Sequence, residues 1–178
     1  MIVLMGVAGS GKSMQGRMLA DDHGYAWVST GEVLRVLITG QRRHEMLSGK
    51  LLSDDEVIKV VDTVFNLIDT RQEFVIDGFP RTIKQADWLL EQTKRARFPL
   101  TAIIHLQADE SVVRDRLAKR GRQDDTDEAI SERFREYKEM TLPILEHFEK
   151  AGVAVYSINA DQAREVVHGD IMRVLRES

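Results

Sequence analysis

The sequence of 178 residues contains no cysteine, which excludes a disulfide framework, a thiolate nucleophile and a cysteine-built zinc site. Without a thiolate, a metal held by oxygen is expected, and no zinc. No apolar run approaches the ~20 residues that span a bilayer, and the first apolar run begins without a charged leader. A cytoplasmic protein with no membrane partner is expected. Lys and Arg number 25 against 29 Asp and Glu, a formal net charge of -4, so the cationic excess of a nucleic-acid binder is missing. A polyanionic ligand has to be met locally. Repeats, low-complexity tracts and an obvious linker are also missing, and the length suits a single domain over residues 1–178.

What the chain does have is Gly6-Val7-Ala8-Gly9-Ser10-Gly11-Lys12-Ser13, placed directly after the apolar run Met1 to Met5. This is a complete G-x-x-x-x-G-K-[ST] loop in the strand, loop, helix context that it requires. Its glycines let backbone N–H groups turn toward one anion, and the helix that starts at Lys12 points its positive end at the same place. The motif predicts a nucleotide phosphate binder in which Lys12 reaches the β and γ phosphates and Ser13 reaches Mg2+.

Apolar runs at 2–5, 25–28, 73–77, 101–106 and 153–158 read as strands buried on both faces of a parallel sheet. Helices are predicted at 12–23, 54–69, 82–95, 109–120, 126–150 and 162–176, with a Ser53-x-x-Glu56 capping box opening the second. Strand alternating with helix predicts an α/β P-loop fold, a five-stranded parallel sheet with helices on both faces. Pro143 interrupts the long helix, so a kink near Met140 or two helices are expected. Two places break the alternation: helical material at 30–52, and the short turn at Gly121-Arg122. Substrate-closing flaps would be grafted there.

Phe74-Val75-Ile76-Asp77 is an apolar strand ending in a carboxylate, the arrangement that sets an acid near Mg2+. The same pattern also serves as a turn or helix cap. Gly78-Phe79-Pro80-Arg81 follows, a stiff turn that aims an arginine over the carboxyl edge of the sheet. Arg116 and Arg120 are spaced i, i+4, Arg122 sits in the turn and Arg133 on the next helix, so their guanidinium groups can converge. Arg114 and Arg135 read as solvated surface. The five histidines share no ligand spacing, and Trp27 and Trp88 read as structural.

The segments GVAGSGKSMQ (6–15), STGEVLR (29–35), GKLLSDDEV (49–57), IDGFPRTIKQA (76–86), DRLAKRGRQDD (115–125) and ERFREYKEMTLPIL (132–145) together resemble an adenylate kinase of the short-lid type, almost end to end. The resemblance implies transfer of the γ phosphoryl of Mg-ATP to AMP, giving two ADP, with ATP and AMP as the small-molecule partners of a monomer. It implies that Gly9, Ser10, Gly11, Lys12, Ser13 and Met14 hold the ATP phosphates. Arg116 would stack on the adenine of ATP, Arg120 reach phosphate, and Gln162 meet the adenine by its backbone. Thr30, Gly31, Arg35, Lys50, Leu51, Leu52, Gly78, Phe79, Pro80, Arg81 and Gln85 would hold AMP. Arg122 and Arg133 would bridge the nucleotides, making Lys12, Arg81, Arg120, Arg122 and Arg133 the catalytic set, and Ser13 and Asp77 would meet Mg2+, Asp77 through water.

The chain departs from that pattern in places. Ser13-Met14 stands where Gly-Thr is usual, Val7-Ala8 replaces an early proline, and Glu32 stands for an aspartate. The AMP flap at 30–52 is reduced and the lid is cut to a turn near 121–125. Other kinases of CMP, UMP or small metabolites, or a nucleotide-gated binding module, are the alternatives; Thr30 speaks for AMP over pyrimidine nucleotides.

Overall fold

The computed structural model describes residues 1–47, 52–122 and 125–176. Five strands, β1 (Ile2–Met5), β2 (Ala26–Ser29), β3 (Phe74–Asp77), β4 (Ala102–Gln107) and β5 (Val155–Asn159), form one sheet in the order β2-β3-β1-β4-β5. Every pairing is parallel, as the continuous apolar runs predict. The chain leaves β1 toward one edge and later crosses to the other, so the carboxyl ends of β1, β3 and β4 border a crevice.

Around the sheet lie α1 (Lys12–His23), α2 (Thr30–Leu37), α3 (Gly40–Leu47), α4 (Asp54–Phe65), α5 (Ile83–Lys94), α6 (Glu110–Arg120), α7 (Asp127–Glu136), α8 (Leu142–Lys150) and α9 (Arg164–Arg176). Helix α1 has the predicted bounds because Gly24 adopts φ 70° after its last turn and donates its N–H to Ala20 O at 2.8 Å. Thr82 and Thr126 cap α5 and α7 through their hydroxyls.

Two expectations are corrected. Helix α4 ends at Phe65 rather than at 69, where the Asn66 N–H turns back onto Asp62 and Thr63. Its capping box does not form, because the Ser53 hydroxyl donates to the Glu56 carboxylate at 2.5 Å instead of accepting from the backbone. Three acids in the first turn, Asp54, Asp55 and Glu56, meet the positive helix end instead. The expected break near Met140 is present: a single π turn, Tyr137–Thr141, separates α7 from α8. The Leu142 N–H bonds to Tyr137 O, and Pro143 falls in the first turn of α8, where its missing N–H is harmless.

Strand residues divide by period two. Val3, Met5, Ile76 and Ile103 pack with Val61 and Phe65 of α4, Leu89 of α5 and Phe148 of α8. Ile2, Leu4, Val75, Ile104 and Leu106 face Leu19 of α1 and Val167 and Ile171 of α9. Both faces of the sheet are therefore covered. In the first layer Phe65 meets Phe74 and Phe98 edge-on, with centroids 5.3 and 5.2 Å apart. Phe65→Ala is expected to cost about 3–5 kcal/mol, measured as a lower denaturant midpoint at unchanged slope. Among the described residues, no helix is long and apolar enough to cross a membrane.

Candidate active site

The P-loop lies at the carboxyl end of β1, against α6 and α7. Gly9 adopts φ 87°, and a Cβ there would sit 2.9 Å from Val113 Cγ1, so only glycine permits this approach of loop to helix. Val7 is buried with Val113, Leu117, Ile130 and Phe134, which fastens the loop from below. Ser10 is also buried. Lys12 curls back and donates from Nζ to Gly6 O at 2.7 Å and Val7 O at 2.8 Å. Enclosure of its ammonium end pushes the Lys12 pKa down to about 7; Asp77 opposes the shift, and Arg81, Arg120 and Arg133 add to it. These cations converge on one end of the cleft, where Asp77 is the carboxylate that offsets the Lys12 shift. That is the electrostatic signature of a polyanion site.

Asp77 ends β3 and is 3% exposed. Its Oδ1 accepts from the Ser29 hydroxyl at 3.1 Å and the Ser13 hydroxyl at 3.3 Å, and its Oδ2 from the Trp27 indole N–H at 2.9 Å. Trp27, read from the sequence as structural, is thus tied to the site. A carboxylate beside a hydroxyl is a hard oxygen pair of the kind that takes Mg2+, which keeps most of its waters and leans on phosphate oxygens. Among the described residues, no three His, Asp or Glu side chains gather as a metal cage.

On the other side of the cleft stand Gly31, Arg35, Leu52, Gly78, Pro80, Arg81 and Gln85. Phe79 presents only its backbone region to the cleft, since its side chain is buried in the core against Trp88. Thr30 begins α2, is 1% exposed, and its Oγ1 meets no hydrogen-bond partner among the described residues. Gln85 is tied into the turn: its Oε1 accepts from the Arg81 N–H and its Nε2 donates to Asp54, both at 2.8 Å. Asp54 also accepts from the Thr82 hydroxyl at 2.7 Å, a role that its place at the start of a helix does not announce. Arg81 Nε donates to Gly78 O at 3.0 Å. Burial lowers the Arg81 pKa, and Arg133 and Arg35 push the same way while Glu136 opposes them. Lys50 and Leu51 lie outside the described residues.

The arginines from 114 to 135 divide between the cleft and the surface. Arg116, Arg120, Arg122 and Arg133 all border the cleft. Arg120 and Arg133 share Asp125, at 2.5 and 3.4 Å, and the Asp125 side chain is 2% exposed. Arg122 reaches Glu32 at 3.5 Å, which joins the two walls. Arg114 pairs with Glu110, and Arg135 with Glu132, outside the cleft wall. Arg116 donates to Ala160 O at 2.8 Å, at the end of β5. Gln162 is close by through its carbonyl, but its side chain turns to Asn159 O and Asp170 and does not border the cleft. Met14 does, at 46% exposure.

Glu136 at the end of α7 and Tyr137 and Thr141 of the π turn complete the wall. Only the spacing of Glu136 three residues after Arg133 hints at this in the sequence. The Tyr137 hydroxyl bonds to His105 Nε2 at 2.5 Å, and burial raises the Tyr137 pKa to about 12 and lowers that of His105. His105 is a satisfied core histidine, as its place within a strand suggests.

The family model for adenylate kinase matches residues 4–153. An adenylate kinase of Prochlorococcus marinus (strain AS9601) is 35% identical over 176 residues, covering 96% of this chain and 95% of the relative. One of Corynebacterium aurimucosum is 34% identical with 93% of each chain covered, and one of Rhodopirellula baltica is 35% identical, covering 98% of this chain and 94% of the relative. With a phosphate loop facing converging arginines, and with matches of this length, the chain belongs to the adenylate kinase family.

Proposed function

We propose that this protein transfers the γ phosphoryl group of ATP to AMP, giving two ADP. The observation that carries the reading is one cleft with a P-loop on one wall, the Gly78 to Arg81 turn on the other and Arg120, Arg122 and Arg133 between them. A phosphate oxygen of AMP attacks the γ phosphorus in line, while the bond to the β–γ bridging oxygen breaks and its electron pair leaves with ADP. AMP phosphate is already a nucleophile at neutral pH, so no general base is needed. Positioning and charge neutralisation remain, and those are what the side chains provide.

In this reading the backbone from Gly9 to Met14 and Lys12 hold the ATP phosphates, with Arg116 at the adenine. Thr30, Arg35 and Arg81 hold AMP, with Gln85 acting through the turn that it braces. Arg120, Arg122 and Arg133 would exchange Asp125 and Glu32 for the transferring group. Ser13 and, through water, Asp77 would hold Mg2+, which would neutralise charge on the β and γ phosphates.

The test mixes the protein with Mg-ATP and each nucleoside monophosphate in turn and follows diphosphate formation. AMP is expected to give the highest kcat/KM, by about 10²-fold or more over CMP and UMP, since a base that leaves the buried Thr30 hydroxyl unmatched is penalised. A preference for a pyrimidine nucleotide would overturn the acceptor assignment, and absence of any diphosphate would overturn the reaction.

A further inference from the structure

We propose that Trp27 is a positioning residue for the metal site, holding the Asp77 carboxylate in the one rotation that turns its Oδ1 toward Ser13. The inference rests on the kinase reading above for the role of Asp77 and goes beyond it by assigning an aromatic residue two strand positions before Ser29.

The placement follows from the sheet. In the β2–β3 pairing Trp27 lies opposite Val75 and Ser29 opposite Asp77. Trp27 and Ser29 project on the same face as Asp77, so Ser29 is its direct neighbour and Trp27 its diagonal one, within reach of a long side chain. Three donors divide the carboxylate. Ser29 and Ser13 hydroxyls take Oδ1, whereas the indole N–H takes Oδ2 at 2.9 Å. An indole N–H donates and cannot accept or bind metal, so it occupies Oδ2 without competing for the ion. Oδ1, which the two serine hydroxyls share, would then be the oxygen turned toward Mg2+ and its waters when the ion binds.

Other contacts fix the ring. The Arg17 guanidinium sits over the indole at 4.8 Å from the centroid and pairs with Glu32. Gly16 of α1 lies against the edge of the indole, and a Cβ there would stand 2.4 Å from Nε1 and 2.5 Å from Cδ1. A helix interior favours alanine over glycine, so glycine at this position answers to the indole and not to the helix. The gap left by the missing side chain is where the N–H of Trp27 passes to Asp77.

The test measures the half-saturating free Mg2+ concentration at fixed nucleotides, together with tryptophan emission during titration with Mg2+ and ADP, for the full chain and three variants. Trp27→Phe keeps an aromatic ring and removes the donor. Trp27→Gln restores an N–H the same number of bonds from Cβ. Gly16→Ala leaves Trp27 in the chain but displaces it. Trp27→Phe and Gly16→Ala are each expected to raise the half-saturating Mg2+ by about 10- to 100-fold, as loss of a group that orients a metal ligand does, with Trp27→Gln recovering most of it. Wild-type emission should change with Mg2+ and ADP, and Trp27→Phe should lose that change while Trp88 still emits.

An unchanged Mg2+ requirement in Trp27→Phe overturns the proposal. So do equal losses in Trp27→Phe and Trp27→Gln, which would mark ring packing as the whole contribution. If Trp27→Phe fails to fold, Gly16→Ala decides, and a wild-type Mg2+ requirement there overturns it equally. The emission titration needs no turnover, so an inactive wild type would sink the kinase reading while leaving the Trp27–Asp77 assignment to be judged on the metal-dependent signal.

Discussion

Lys12→Met is expected to lower kcat by about 10²-fold or more and yet raise the melting temperature of the free protein at pH 7. Both effects have one origin. The lysine ends among Gly6 O, Val7 O and the guanidinium groups of Arg81, Arg120 and Arg133, where its pKa falls from 10.5 to about 7, first through loss of water. Developing charge on a transferring phosphoryl group makes that ammonium favourable, so its removal raises the barrier. In the free chain the same ammonium is a liability. Between pH 7 and 10.5 the unfolded state binds more protons at Lys12 than the folded state does, so wild-type stability rises with pH across this window. Methionine carries no proton, and the stability advantage of the variant should therefore be full below pH 7 and fade as the pH approaches 10.5. Steady-state kinetics at saturating ATP and AMP, with calorimetric melts over a pH series, check the two halves. A variant that keeps its kcat, or that melts lower at pH 7, contradicts this account of Lys12.

Arg81→Ala should lower kcat by a similar factor of about 10² while Arg114→Ala leaves it nearly unchanged, although both remove one positive charge. The contrast follows from position. Arg81 is forced below its ordinary pKa by burial and by Arg133 and Arg35, with Glu136 as the main relief, and this cluster gains a counter-charge when an anion enters. Arg114 already has Glu110 at 2.9 Å and the Ser131 hydroxyl at 3.1 Å. Alanine at 81 keeps the backbone N–H that Gln85 accepts and the carbonyl that receives the Thr141 hydroxyl, so the turn survives the change. Comparable kcat losses in the two variants, at unchanged melting temperature, would remove Arg81 from the catalytic set.

Much of this molecule is legible in one dimension. The loop from Gly6 to Ser13, five apolar runs, the stop at Gly24 and the break ahead of Pro143 are local demands of backbone conformation, and local demands are written in adjacent residues. They were enough to specify a parallel α/β sheet with a phosphate site at its edge, and the arginine spacing marked out Arg114 and Arg135 from the group that borders the cleft. The missed features are side-chain pairings, some local and some between distant segments, that residue types alone do not announce. Asp125 serves both Arg120 and Arg133, Gln85 is committed to Asp54, and Trp27 reaches Asp77 across 50 positions of sequence. The first two depend on how helices pack and the last on which strand lies beside which, since a one-residue slip of β2 against β3 would send Trp27 and Ser29 to the opposite face from Asp77. The sequence alone determined the elements and the chemistry that they carry. Which donors hold the carboxylate, and which cations are left to an incoming phosphate, was decided only when the sheet order brought those elements to one edge and removed water from between them.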